Sequence, residues 1–96
     1  MIRIEKPAWD TMVAHAQSAY PNECCGAILG ATDNGVATVE AAVALENAFE
    51  GEQHRRYEIR LEDLQKADAE ARGRGLELIG IFHSHPDEDA YFSATD

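Results

Sequence analysis

The 96-residue chain contains few cationic side chains. It has 8 Lys plus Arg, of which only Lys6 and Lys66 are lysines, against 18 Asp plus Glu, so its formal net charge is -10 at pH 7. A surface this acidic repels phosphate backbones and anionic lipid, and it lacks the basic contacts that nucleic-acid binding requires. We therefore expect neither nucleic acid nor a membrane surface as a partner.

The chain also lacks long apolar segments. No stretch of 18 or more apolar residues occurs, and the N-terminus has no basic region followed by an apolar stretch and a small-residue cleavage site. These absences predict a cytoplasmic protein. Only two cysteines are present, Cys24 and Cys25, and because they are adjacent they cannot join distant segments by a disulfide. We expect both to be reduced thiols.

The length and composition indicate one folded unit. Ninety-six residues correspond to one small domain, and 45% hydrophobic with 27% charged residues is typical of a globular chain. We therefore expect a single domain over residues 1–96.

The first half of the sequence predicts a helix followed by a β-hairpin. Apolar residues recur at helical spacing over 8–20, with Pro7 at the start. The predicted buried stripe of this helix comprises Trp9, Met12, Val13, Ala16 and Tyr20. Two apolar segments, 24–31 and 36–45, flank an Asp-Asn-Gly turn sequence, which is typical of a hairpin.

The second half predicts a short strand, a helix and a buried strand. Alternation about Glu58 predicts a strand at residues 57–59. Residues 61–73 begin with acidic side chains and end with a basic one before glycine, the charge order that favours a helix. Its predicted buried stripe comprises Leu61, Leu64, Ala67 and Ala71. Residues 76–82 are an apolar segment that predicts a buried strand leading into His83.

Two histidines follow this buried strand in the sequence His83-Ser84-His85-Pro86. Side chains at positions i and i+2 of a strand project from the same face, so both imidazoles can reach one metal ion. Asp96 lies far enough along the chain for an intervening loop to turn back and present a carboxylate. Two imidazoles and one carboxylate are a known ligand set of catalytic zinc. The other two histidines, His15 and His54, have no partner at ligand spacing, and we expect them to be exposed.

Glu23 and Ser93 supply the other groups that amide hydrolysis needs. The Glu23 carboxylate can take a proton from water and pass it to the leaving amine. Ser93 can donate a hydrogen bond to the oxyanion, a contribution of about 2 to 4 kcal/mol at comparable sites. Two alternatives stay open on the residues alone, namely Glu23 as an exposed turn residue and Ser93 as a helix N-cap.

Together these residues resemble the JAMM (MPN+) metalloprotease signature, a glutamate followed by a distant H-[ST]-H-P and an S-x-x-D at fixed spacing. The matching positions are Glu23, His83-Ser84-His85-Pro86 and Ser93-Ala94-Thr95-Asp96. The local sequence Pro21-Asn22-Glu23-Cys24-Cys25-Gly26 is similar to the bacterial and archaeal branch. That branch includes Mec-type enzymes, which release an amino acid or peptide from the C-terminal Gly-Gly end of a sulfur-carrier protein.

The resemblance implies a fold, an activity and a set of roles. The implied fold is a mixed α/β, cytidine-deaminase-like three-layer sandwich, in which helices flank a mixed sheet. The implied activity is that of a zinc-dependent isopeptidase or peptidase acting on the Gly-Gly tail of a ubiquitin-like or sulfur-carrier protein. His83, His85 and Asp96 would bind Zn²⁺, Glu23 would be the general acid/base, and Ser93 would stabilise the oxyanion.

Members of the family continue past this aspartate with a helix and further strands. The sequence therefore predicts a JAMM/MPN domain that lacks its C-terminal part, and the sheet edge left open predicts a homodimer. One alternative function is a non-catalytic binding or scaffold module of the same fold with an incomplete metal site. Another is a thiol-based enzyme that uses Cys24 or Cys25, although free cysteines at the start of an apolar strand are usually buried hydrophobes.

Overall fold

The computed structural model describes residues 1–53 and 55–84, together with the backbone of residues 92–95. Their helices and strands are, in chain order, β1 (Ile2–Ile4), α1 (Lys6–Ala19), β2 (Cys25–Asp33), β3 (Val36–Leu45), α2 (Leu61–Gly73), β4 (Glu77–Ser84) and β5 (Phe92–Thr95). The strands form one mixed sheet in the order β1-β3-β2-β4-β5. β1 pairs parallel with β3, and the other pairs are antiparallel. Neither helix of this described part is long and apolar enough to cross a membrane.

The two helices pack on opposite faces of the sheet. The apolar cluster between α1 and the sheet comprises Ala8, Met12, Cys24, Ile28, Val39 and Phe82. The cluster between α2 and the other face comprises Ala27, Leu29, Ala67 and Ala71. Successive residues of β2 enter different clusters because adjacent side chains of a strand point to opposite faces. This arrangement confirms the predicted three-layer sandwich, with a mixed sheet flanked by helices.

The hairpin and the second helix lie where the sequence predicts them. α2 spans the predicted residues, with Glu62 and Asp63 in its first turn and Arg72 in its last, which complements the helix dipole. In the hairpin turn, φ is 50° at Asn34 and 77° at Gly35. A two-residue type I′ turn requires positive φ at both positions, and Asn-Gly accepts it at little cost.

The predicted buried stripes of both helices are partly wrong. α1 begins at Lys6, two residues earlier than predicted, and Trp9 is 43% exposed. Tyr20 lies beyond the helix and is exposed. The face that contacts the sheet comprises Ala8, Met12, Ala16 and Ala19. It consists mainly of alanines, which let the helix approach the sheet closely. In α2, Leu61 is exposed because it occupies the first position of the helix.

The strand predicted at residues 57–59 does not form. The Glu58 N–H donates to Asn47 Oδ1 at 3.1 Å, and the Glu58 carbonyl accepts from the Ala48 N–H at 2.8 Å. These bonds within the β3–α2 loop satisfy the polar groups that a strand would have paired with the sheet. Conversely, the sequence analysis missed β1, whose alternation spans only three residues and which pairs with β3.

Gly30 is a glycine at which we expect a side chain to be poorly tolerated. It lies at a register shift between β2 and β3, and an added Cβ would overlap the Thr38 carbonyl group. We expect Gly30→Ala to lower the free energy of unfolding by about 1 to 3 kcal/mol, measured by urea denaturation. Gly73→Ala is the control, because a Cβ there meets no atom within 4 Å. Equal stabilities of the two variants would contradict this assignment.

Candidate active site

The structure brings Glu23 next to His83, although sixty residues separate them in the sequence. β2 pairs antiparallel with β4, and Cys25 lies opposite His83, so the residues just before β2 lie beside the end of β4. Glu23 Oε1 is 3.9 Å from His83 Nδ1, and the two side chains are 7% and 12% exposed, respectively. The alternative that makes Glu23 an exposed turn residue is therefore wrong.

An aromatic ring covers the His83 imidazole. Tyr57, in the loop before α2, stacks on it with the ring centroids 4.7 Å apart and an interplanar angle of 23°. A stacked neighbour restricts rotation of the imidazole and so limits the directions in which its nitrogen atoms point. From the sequence, Tyr57 was predicted only to lie in a strand, which does not form. A lone aromatic residue in a polar loop does not by itself indicate a functional site.

Ser84, between the two histidines of the motif, joins the end of β4 to the start of β2. Its Oγ accepts a hydrogen bond from the Cys24 N–H at 2.9 Å, and its own N–H donates to the Cys24 carbonyl at 3.1 Å. The residue is buried. A small hydroxyl side chain at this position therefore fixes the chain next to Glu23, a role that the sequence analysis missed.

The remaining motif residues lie at or beyond the limit of the described structure. His85 and Asp96 are outside the described residues. Ser93 lies in β5, where its backbone is paired opposite His83. β5 runs antiparallel to β4. The chain thus reverses direction after the histidine motif, as predicted from the sequence. Because Ser93 lies within a strand, the helix N-cap alternative is wrong.

The described residues include one possible ligand for a metal ion, His83. Within residues 1–53 and 55–84, no group of three or more His, Cys, Asp or Glu side chains could hold a metal ion. They do place one imidazole, His83, beside the carboxylate of Glu23. Imidazole is a zinc ligand, and a neighbouring carboxylate is the base that a hydrolytic zinc site uses. The imidazole and the carboxylate at this end of β4 therefore fit a zinc site whose other ligands would come from the motif residues after Ser84.

The two thiols are unsuited to nucleophilic catalysis. Both cysteines are free and buried. Burial raises the pKa of the Cys25 thiol to about 12, and it is also the main cause that raises the pKa of Cys24. Cys25 Sγ contacts the carbonyl oxygens of Leu45 at 3.8 Å and Glu46 at 3.7 Å. Because the thiolate is the reactive form, these observations argue against the thiol-enzyme hypothesis.

We expect Cys24 and Cys25 to resist alkylation in the folded protein. Iodoacetamide at pH 7.5 should label both residues at least about 100-fold more slowly in buffer than in 8 M urea, because folding buries the sulfur atoms and keeps them protonated. Mass spectrometry of timed samples measures the two rates. Labelling of either cysteine at the same rate with and without urea would contradict the assignment of both as buried packing residues.

His15 lies on the opposite face of the sheet from His83, and the expectation that it is exposed is wrong. Its ring meets that of Phe82 edge-on, with centroids 6.4 Å apart, and Phe82 belongs to the cluster under α1. Since Phe82 and His83 are adjacent in β4, their side chains point to opposite faces. His15 and His83 therefore approach β4 from opposite faces, although His15 lines the same cavity as Glu23. The corresponding prediction for His54 lies outside the described residues.

This chain matches one family of known sequences and is similar to one characterised protein. The family described as prokaryotic homologs of the JAB domain matches residues 5–96. A desampylase from Haloferax volcanii is 32% identical over 93 residues, an alignment that covers 93% of this chain and 65% of that protein. The chain thus spans about two thirds of the length of this relative.

Two solved structures share the fold. A protein from Desulfitobacterium hafniense superposes with a TM-score of 0.82 at 32% identity, over 95% of this chain and 61% of that one. A protein from Salinibacter ruber gives a TM-score of 0.62 at 38% identity, over 90% of this chain and 57% of that one. The family match includes every position of the resemblance, from Glu23 to Asp96. The chain therefore belongs to the prokaryotic JAB family, which confirms the resemblance to the JAMM/MPN proteins.

Proposed function

We propose that this protein is a zinc-dependent isopeptidase that hydrolyses the amide bond at the C-terminal Gly-Gly tail of a ubiquitin-like or sulfur-carrier protein. The observation that most supports this is the 3.9 Å approach of the Glu23 carboxylate to the His83 imidazole in a nearly buried position. Two positions of the motif, distant in sequence, thereby become neighbours. The similarity to a desampylase supports a ubiquitin-like protein as the substrate.

The chemistry follows from what each side chain can do. His83, His85 and Asp96 would hold the zinc ion, which when bound supplies Lewis acidity toward water and the scissile carbonyl. Glu23 takes the proton from the attacking water and delivers it to the amine nitrogen as the carbon–nitrogen bond breaks. The products are the glycine carboxylate of the tail and the free amine. Ser93 donates a hydrogen bond to the carbonyl oxygen as negative charge develops on it.

Burial of the Glu23–His83 pair suits this reaction. Electrostatic interactions are stronger where bulk water is excluded, so the Glu23 carboxylate attracts a proton of the attacking water more strongly here than it would on an exposed surface. The backbone of Glu23 is hydrogen-bonded on both sides, to Asn47 and to Gln53. The base is therefore positioned before substrate arrives, which avoids a reorganisation cost during the reaction.

Cleavage of a defined isopeptide bond tests the proposal. The protein, loaded with one equivalent of zinc, is incubated with a ubiquitin-like protein whose Gly-Gly tail is joined to the lysine of a short peptide. We expect mass spectrometry to show the free modifier and the free peptide. A chelator should abolish cleavage, added zinc should restore it, and a tail changed to Ala-Ala should be cleaved far more slowly.

Failure to cleave any Gly-Gly conjugate in the zinc-loaded state would overturn the proposal and favour the non-catalytic binding module. Cleavage that survives a chelator but is lost on alkylation would instead favour a thiol enzyme. The cytoplasmic location and the homodimer stay predictions, and sedimentation at several protein concentrations tests the second.

A further inference from the structure

We propose that Asn47 is a positioning residue for the Glu23 carboxylate. Asn47 is not assigned a contact with the reacting atoms. It acts by holding the backbone of Glu23, so that the side chain keeps its place beside His83. The effect of Asn47 on the reaction rate rests on the proposed function. The anchoring of Glu23 by Asn47 rests on hydrogen bonds among the described residues.

The Asn47 side chain makes four hydrogen bonds to backbone groups. Its Nδ2 donates to the carbonyl of Glu23 at 3.1 Å and to that of Arg56 at 3.0 Å. Its Oδ1 accepts from the N–H of Phe49 at 3.0 Å and from that of Glu58 at 3.1 Å. A primary amide has two donor hydrogens and two acceptor lone pairs, so its capacity is fully used. With carbonyls on one side and N–H groups on the other, only one orientation of the amide satisfies all four.

Gln53 secures the other side of Glu23. Its backbone carbonyl accepts the Glu23 N–H at 2.7 Å. Its side-chain Nε2 donates to the carbonyls of Asn47 at 3.1 Å and Phe49 at 2.9 Å, which folds the loop back on itself. Both backbone polar groups of Glu23 are thus bonded to the loop between β3 and α2, through Asn47 and Gln53.

The sheet alone does not fix Glu23. The ladder between β2 and β3 begins at the pair Cys25 and Leu45, and the ladder between β2 and β4 begins at Cys25 and His83. Glu23 precedes both, so the loop supplies the hydrogen bonds that a neighbouring strand would otherwise provide. A shift of about 1 Å in a catalytic group can lower the rate about 100-fold. Loss of the bond from Asn47 therefore acts on the rate through the position of the carboxylate.

Two variants of Asn47 test the proposal. Asn47→Ala removes all four bonds. Asn47→Asp keeps an oxygen that can accept from Phe49 and Glu58 but loses the donors to Glu23 and Arg56. The matched control is Val39→Ala, which destabilises the cluster under α1 without contacting the loop.

The first readout is hydrogen exchange of the Glu23 amide, followed by NMR in the metal-free protein. This amide donates to Gln53, which is itself bonded to Asn47, so release of the loop that Asn47 holds exposes it. In both Asn47 variants, we expect the exchange rate of the Glu23 amide to rise at least about tenfold relative to the exchange rates of the amides in the middle of β2. In Val39→Ala, Glu23 and the β2 amides should change together. Unchanged relative exchange of Glu23 in Asn47→Ala would overturn the proposal, whether or not the protein is an enzyme.

The second readout is the kinetics of zinc-loaded protein on the isopeptide conjugate. We expect kcat to fall about 10- to 100-fold in both Asn47 variants while KM changes less than about threefold, because the variants change the position of the base. Val39→Ala should keep the wild-type kcat at a temperature where it is folded. An equal loss of kcat in Val39→Ala, or a loss confined to KM, would overturn the positioning role. An inactive wild-type protein would refute only the proposed function. The exchange measurement would still show whether Asn47 anchors the backbone of Glu23.

Discussion

Glu23→Gln should yield a folded protein that binds zinc but hydrolyses the Gly-Gly amide bond about 100- to 10,000-fold more slowly than the wild type. Glutamine has nearly the same shape as glutamate, so the packing of this nearly buried side chain against its surroundings is preserved. An amide, however, cannot accept a proton from water at neutral pH. The loss should therefore appear in kcat, with little change in KM or in zinc content.

Initial rates on the isopeptide conjugate, with zinc measured on the same samples, test this expectation. The control is Glu40→Gln, which makes the same chemical change at an exposed position of β3. It should retain the wild-type rate. A kcat for Glu23→Gln within threefold of the wild type would remove Glu23 from the mechanism. A matching loss in Glu40→Gln would show that net charge, rather than a positioned base, controls the rate.

The parts of the fold that the sequence predicts are those fixed by local chemistry. Asn34-Gly35 determines a tight turn because few other residues accept positive φ. The charges at the two ends of α2 fix its limits. The orientation of α1 was predicted less well, since Trp9 and Tyr20 fit the helical spacing but lie toward solvent. Which face of a helix is buried depends on the surface against which it packs, and a buried face made mainly of alanines carries a weak hydrophobic signal.

In the candidate site, too, the features set by local sequence could be predicted and those set by distant contacts could not. His83 and its neighbours form a short motif that is recognisable in the sequence, whereas the closeness of Glu23 to His83 depends on the register between β2 and β4. Only the family resemblance anticipated it. Asn47 and Tyr57 carried no signal, because each acts through a loop whose path depends on distant contacts. An asparagine and a tyrosine in a polar segment look the same in the sequence whether or not they support a site.

Removal of the His83 imidazole should abolish stable zinc binding. We expect His83→Ala to weaken zinc binding by more than about 100-fold, because changes to groups that merely orient ligands already cost about 10- to 100-fold, and His83 is proposed as a ligand itself. Zinc retained after dialysis against a weak chelator should fall from about one equivalent to below about a tenth. Hydrolysis should fall with it, which distinguishes this variant from Glu23→Gln, where zinc is kept.

The matched control for this prediction is His15→Ala. His15 is partly buried and contacts Phe82 of β4 from the face of the sheet that α1 covers. One variant removes an imidazole of β4 and the other an imidazole that packs on β4, so both test loss of packing at this strand, whereas only His83 is the proposed ligand. His15→Ala should keep its full zinc content. If both variants lose zinc equally, the loss reflects damage to β4, and if neither does, His83 is not a ligand and the metal is held elsewhere.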